Sequence, residues 1–239
     1  MKKLFTLIAA TMLCVGAQAQ SVNINLKNGT TVYYSGNEVE YVDFNETQAV
    51  SLTGVKFVKD GKTVEFATTN LGADSPEQPG KYYRWGELTG YYVDQLLRIE
   101  EGKEDKPAEY NYAGITSWTD ANDPVKKEAG STWRIPSKQD IQHLLKFTNY
   151  WTTENGITGR KFENGQGGYI FLPAVGLWHE FSFMTSETRL GAYWAKDLAS
   201  EDKSKKTACG LFFGSDDVNP WDFYQGQVRE AFLPIRPCK

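Results

Sequence analysis

The densest group of side chains able to do chemistry lies at residues 213–225, FGSDDVNPWDFYQ. Asp216, Asp217 and Asp222, with Asn219, offer carboxylate and amide oxygens, and Trp221, Phe223 and Tyr224 offer aromatic faces beside them. Sugar rings lay their C–H faces on such π systems while their hydroxyls bond to the oxygens, and a protein partner would use the same mixture. A second stretch, residues 177–183 (LWHEFSF), alternates Trp178, Phe181 and Phe183 with polar residues around His179. The candidate ligand-binding residues are therefore Trp178, His179, Phe181, Asp216, Asp217, Trp221, Asp222 and Tyr224. The oxygen cluster is also a candidate for Ca2+, which takes about six to eight oxygen ligands, although an acidic loop tip is ordinarily a solvated turn. No cofactor is otherwise expected.

Other chemistries are limited by count and spacing. His143 and His179 are the only histidines, so a site built on three imidazoles is excluded, and no carboxylate sits at ligand spacing to the pair. His143 falls off the apolar face of its helix and reads as a surface residue. No glycine-rich segment has phosphate-loop or dinucleotide spacing. With no Ser-His-Asp set either, catalysis is not expected, while a carboxylate pair assembled from distant segments stays open.

The first residues give an address. Residues 1–20, MKKLFTLIAATMLCVGAQAQ, join two lysines to an apolar run and a closing Ala17-Gln18-Ala19, the layout of a secretory signal peptide cleaved after Ala19. The run is too short to span a bilayer, which takes about 20 apolar residues, and no later segment is apolar enough. The reading is export by the Sec route to the periplasm, the cell surface or the medium, with no membrane span. Without Lys2 and Lys3 the chain keeps 24 basic against 30 acidic residues, a net charge of −6, which argues against a nucleic-acid partner. Cys14 leaves with the signal. Cys209 and Cys238, in two strand-like runs of an exported chain, are then expected to form a disulfide closing a loop of about 30 residues and contributing about 3 kcal/mol. The functional alternative is a reactive thiol pair.

The elements that must position these groups are mostly strands. Residues 22–34 alternate apolar and polar around Asn28-Gly29, a strong hairpin signal, and residues 39–44 alternate again, making residues 21–52 a short β-hairpin leader. Residues 55–67 carry a second hairpin around Lys59-Asp60-Gly61-Lys62. Two helices follow. Asp123-Pro124 starts one and Gly130 stops it. Ser137 with Asp140 resembles a capping box for the other, on which Ile141, Leu144, Leu145 and Thr148 share a face. Short strands are expected at residues 169–172, 192–194, 208–213, 222–224 and 231–235. The class is α+β with antiparallel strands.

Six blocks in order, FATTNLGADSPEQPGKYYRWGE, GSTWRIPSKQD, W-x-x-x-N-G-x-x-G-x-K-F, IFLPAVG, GAYWAK and ACGLFF, followed by V-R-x-x-x-x-P-I-R-P, resemble the Fibrobacter succinogenes major paralogous domain. That family is abundant in exported proteins of Bacteroidota and is related to the C-type lectin-like fold and to formylglycine-generating sulfatase-modifying factors. The resemblance covers residues 55–237, within a domain taken as 55–239. It implies a twisted antiparallel sheet, two helices and long irregular loops at one end, with 177–183 and 213–225 among those loops. Trp85, Trp133, Trp151 and Trp194 read as scaffold, and Arg134 and Arg236 as ion-pair partners for Glu87 or Asp140. Formylglycine-generating relatives need a close pair of cysteines, whereas Cys209 and Cys238 stand 29 positions apart. The resulting expectation is a non-catalytic lectin-like domain binding an extracellular glycan or protein. The alternatives are an enzyme on the same scaffold and a structural surface-assembly subunit using the leader hairpin for strand addition.

Overall fold

The computed structural model describes residues 21–25, 31–35, 51–115, 117–184, 190–199, 204–215 and 227–239. The chain divides into two compact units, Met1–Glu46 and Thr47–Lys239. In the first, β1 (Ser21–Asn25) pairs antiparallel with β2 (Thr31–Ser35), Ser21 opposite Ser35 and Asn25 opposite Thr31. This is the hairpin announced by Asn28-Gly29. The run at 39–44 lies outside the described residues, as does the expected strand at 222–224.

The second unit is α+β, with three short α-helices among small antiparallel sheets. Hairpin β3 (Gly54–Lys59) and β4 (Lys62–Ala67) turns at Asp60-Gly61, whose φ values of 53° and 73° are the left-handed pair that a tight two-residue turn demands. Phe57, Val64 and Phe66 bury one side of it. Strands β5 (Tyr82–Tyr83) and β6 (Gly90–Tyr91) come next, then α1 (Val93–Glu100), α2 (Pro124–Ala129) and α3 (Lys138–Leu144). A three-stranded sheet joins β7 (Thr148–Glu154), β8 (Ile157–Glu163) and β9 (Tyr169–Pro173). Then follow the small hairpin β10 (Leu177–His179) and β11 (Ser182–Met184), and the sheet of β12 (Gly191–Leu198), β13 (Thr207–Phe213) and β14 (Gln227–Val228). Finally β15 (Leu233–Pro234) pairs with β5.

Helices α2 and α3 begin as the caps predict: Asp123 Oδ1 accepts from the Val125 amide at 2.9 Å, and Ser137 Oγ accepts from the Asp140 amide at 3.2 Å. Two expectations about α3 fail. The helix ends at Leu144, so Thr148 opens β7 and is exposed rather than sharing an apolar face. His143 is not a surface residue. It is 2% exposed, donates from Nε2 to the Phe57 carbonyl at 3.0 Å and meets the Phe147 ring edge-on. Two helices were expected and α1 is a third. Its buried Leu96 and Ile99 sit three apart, and its first turn is closed by the Gln95 side chain accepting from the Tyr92 amide at 2.8 Å.

Residues 235–239 tie the unit together. The amide of Glu65 donates to the Lys239 carbonyl and that of Lys239 returns the bond, Cys238 and Arg134 exchange the same pair, and the Ala67 and Leu71 amides donate to Pro237 and Ile235. Arg236, expected from sequence to pair with Glu87 or Asp140, meets no carboxylate among the described residues. Its buried guanidinium donates to Asn70 Oδ1 and to the Ala67 and Phe171 carbonyls at 2.9, 3.1 and 2.9 Å, and burial lowers its pKa to about 10. Arg134 does meet Asp140, at 2.7 Å, whereas Glu87 is taken by Arg84 at 2.8 Å. Trp85, Trp133 and Trp194 are buried and Trp151 packs half-buried against the core, as scaffold residues should. Among the described residues no helix is long and apolar enough to cross a membrane.

Candidate functional site

A cavity of about 430 Å³ opens beside the β10–β11 hairpin. Its walls come from four separate stretches: Arg84 just after β5, residues 106–110 beyond α1, the Glu180-Phe181 turn, and Glu230 and Phe232 ahead of β15.

The turn is the unusual part. His179 pairs with Ser182, leaving Glu180 and Phe181 as the two turn residues, with φ of 50° and 61°. Such turns match strand twist but normally use Asn and Gly, because a side chain in this region costs about 1–2 kcal/mol per residue. A bulky residue held there marks a place where the surroundings enforce the backbone, a pattern found at ligand sites. What holds Phe181 is the cavity itself. Its ring lies 5.5 Å from that of Phe232, and Lys106 Nζ stands 5.4 Å from its centre.

Opposite, Arg84 is almost buried and locked on three sides. Nε donates to Glu87 Oε2 at 2.8 Å, Nη1 to the Ala108 carbonyl at 2.8 Å, and the guanidinium lies 5.6 and 5.5 Å from the Tyr110 and Phe232 ring centres. The bond to Ala108 ties down the outer wall. A second buried arginine, Arg229, extends that anchorage by donating to the Tyr112 and Ile115 carbonyls among the rings of Trp85, Tyr110 and Tyr112. Tyr110 donates to the Trp85 carbonyl, and burial pushes its phenol pKa up. Burial, reinforced by a bond to Glu230, pushes the Tyr112 phenol up to about 12, so both stay neutral donors at ordinary pH. Thus two cations, Arg84 and Lys106, and three carboxylates, Glu109, Glu180 and Glu230, surround the rings of Tyr110, Phe181 and Phe232.

The sequence candidates distribute unevenly over this site. Phe181 lines the cavity, and His179 stands beside it with Nε2 3.7 Å from Glu230 Oε1. Trp178 is not part of a binding face. It is 1% exposed, packed with Tyr82, Leu96 and Phe232, and its backbone exchanges hydrogen bonds with Phe232. Its cross-strand partner Phe183 is the exposed one of the pair. Asp216, Asp217, Trp221, Asp222 and Tyr224 lie outside the described residues. Arg84, Lys106, Glu109, Tyr110, Glu230 and Phe232 were missed. The family-like blocks contain Arg84, but nothing local marks residues 106–110.

The expected disulfide is not formed. Cys209 and Cys238 are two separate buried thiols: Cys209 Sγ faces the Leu198 carbonyl at 3.5 Å, and Cys238 Sγ lies 4.0 Å from Asp140 Oδ2. Each is enclosed as a small apolar residue of one core cluster. Burial pushes their pKa values up to about 11 and about 12, away from a reactive thiolate. Among the described residues no three His, Cys, Asp or Glu side chains gather as a metal site. Comparison with protein-family models, with curated proteins and with solved structures gives no match to this chain.

Proposed function

We propose that this chain is an exported, non-catalytic, lectin-like domain that binds an extracellular ligand in the cavity beside the Glu180-Phe181 turn. The observation that carries this reading is the turn itself, which holds a phenylalanine at positive φ and sets its ring on a cavity wall beside carboxylates and a lysine. Aromatic faces flanked by carboxylates and cations match a ring with one apolar face and several hydroxyls. A glycan suits the site better than a protein surface does. The cavity is of small-ligand size, within about 300–1,000 Å³, whereas a protein interface needs about 800 Å² of each partner. Its lining supplies groups suited to binding: two cations, three carboxylates and three aromatic rings. Trp221, Tyr224 and the three aspartates of 213–225 stay candidates on sequence grounds.

The test is a glycan array probed with the purified protein, followed by affinity measurement on the strongest binder. Losing one stacking ring typically costs about 1–3 kcal/mol, so Phe181→Ala should weaken binding about 5- to 150-fold. The melting temperature should move little. A bound glycan whose affinity is indifferent to Phe181→Ala would overturn this assignment of the site.

A further inference from the structure

We infer that the ligand of this cavity carries a carboxylate, and that the site is built for an acidic sugar unit held by Arg84 and Lys106. The inference rests on the glycan-binding reading and narrows it. Arg84 is 7% exposed and lines the cavity, and two of its three guanidinium nitrogens are committed, to Glu87 and to the Ala108 carbonyl. Nη2 has no hydrogen-bond acceptor among the described residues. Those two bonds, with the Tyr110 and Phe232 rings on the guanidinium, fix its plane before any ligand arrives. A planar, pre-positioned guanidinium edge is the best protein donor for a carboxylate.

Lys106 supplies the second positive group. Three glutamates share its cavity, yet it forms no ion pair among the described residues, and its ammonium rests on Phe181 instead. A ligand carboxylate would therefore find an open guanidinium N–H on Arg84, whose charge is shared with Glu87, and on Lys106 an ammonium with no ion pair among the described residues. A neutral sugar offers Nη2 only a hydroxyl or ring oxygen, and that bond lacks the charge assistance a carboxylate gives and is the weaker of the two. A small anion without hydroxyls fares badly for the opposite reason, because Glu109, Glu180 and Glu230 repel it and receive nothing in return. A sugar acid satisfies both sets, giving its carboxylate to the cations, its hydroxyl protons to the carboxylates and its apolar face to Phe181 or Phe232.

The experiment is titration calorimetry of the purified protein with uronate and sialate oligosaccharides and with the same oligosaccharides after carboxyl reduction. At least one acid form should bind about 10- to 100-fold more tightly than its reduced counterpart, the usual range for a charge-assisted bond, and added salt should narrow the gap. Lys106→Met removes an exposed ammonium and should lower affinity for the acid form more than for the reduced form, erasing much of that preference. Arg84→Gln should do so more strongly, read only if its melting curve stays cooperative. Equal affinity for acid and reduced forms, or a Lys106→Met protein with unchanged preference, overturns the inference while glycan binding stands. Binding confined to neutral array glycans does the same. No binding to any acidic or neutral glycan overturns both.

Discussion

Trp178 separates an anchoring role from a binding role by two substitutions at one position. Trp178→Ala empties a wholly enclosed site among Tyr82, Leu96 and Phe232, and large-to-alanine changes of this kind cost about 3–5 kcal/mol. For a domain of this size each kcal/mol shifts the melting temperature by about 2–4 °C, so a fall of about 6–20 °C is expected. Trp178→Phe should behave differently. The buried indole Nε1 has no hydrogen-bond partner, and leaving such a donor dry costs about 1–3 kcal/mol. Phenylalanine removes that penalty while giving up about 2 kcal/mol of apolar burial, so the two nearly cancel. Thermal unfolding followed by circular dichroism, alongside ligand affinity of the folded protein, measures both. Trp178→Phe should melt within a few degrees of the parent, with affinity unchanged. If it melts as low as Trp178→Ala, the indole nitrogen is bonded after all. If Trp178→Ala keeps its melting temperature and loses ligand, the residue binds and its place in the core is wrong.

Cys209 and Cys238 should resist alkylation in the native protein at pH 8, react once it is denatured without reductant, and leave the melting temperature indifferent to reductant. A denatured, unreduced chain in which neither reacts would restore the disulfide. Burial alone would raise the Asp140 pKa, but Arg134, Ser137 and Lys62 outweigh it and hold the carboxyl well below its ordinary 3.8. Its contribution is therefore complete above about pH 5 and lost as pH falls from there toward the lowered value. Asp140→Asn should cost about 2 kcal/mol at neutral pH, less than the 3–5 kcal/mol of a fully buried pair because Arg134 and Lys62 keep access to water, and should flatten the acid limb of stability. A parallel acid limb in the variant would contradict this. Glu180→Gly should relieve about 1–2 kcal/mol of turn strain against about 0.5–1 kcal/mol of added backbone freedom, a net gain of up to about 1.5 kcal/mol that raises the melting temperature by up to about 6 °C. A lower melting temperature in a calorimetric scan would show that Glu180 is not strained.

What could be read from sequence was local. Asn28-Gly29 and Asp60-Gly61 both announce hairpins in the sequence, and at Asp60-Gly61 the pair supplies the two left-handed residues a tight turn needs. Asn155-Gly156, with φ of 48° and 82°, says the same of β7 and β8, which were read only as a motif. Asp123 and Ser137 announce α2 and α3 through their caps. Helix α1 lacks such a cap residue, since Gln95 does the capping from inside. Alternation groups Trp178 with its neighbours but does not say which ring is covered, and the structure buries Trp178 while exposing Phe183, its direct partner. The cavity was illegible because its walls are far apart in sequence and its outer one is shaped by backbone carbonyls. Any residue type at 108, 112 or 115 offers the same carbonyl to Arg84 or Arg229.

The stitching of residues 235–239 onto residues 65, 67, 70, 71 and 134 has a consequence for the order of events during synthesis. Arg236 reaches back across 169 positions to the Ala67 carbonyl, so hairpin β3–β4 has its outer amides unpaired until almost the whole unit has been made. Contacts this distant in sequence form late, after the loop-closure entropy between them has been met. Strands β4 and β5 thus lack their C-terminal partners while the chain is still growing. Under the export proposed above, such a delay would keep the chain extended and transport-competent until its closing strand had followed it through.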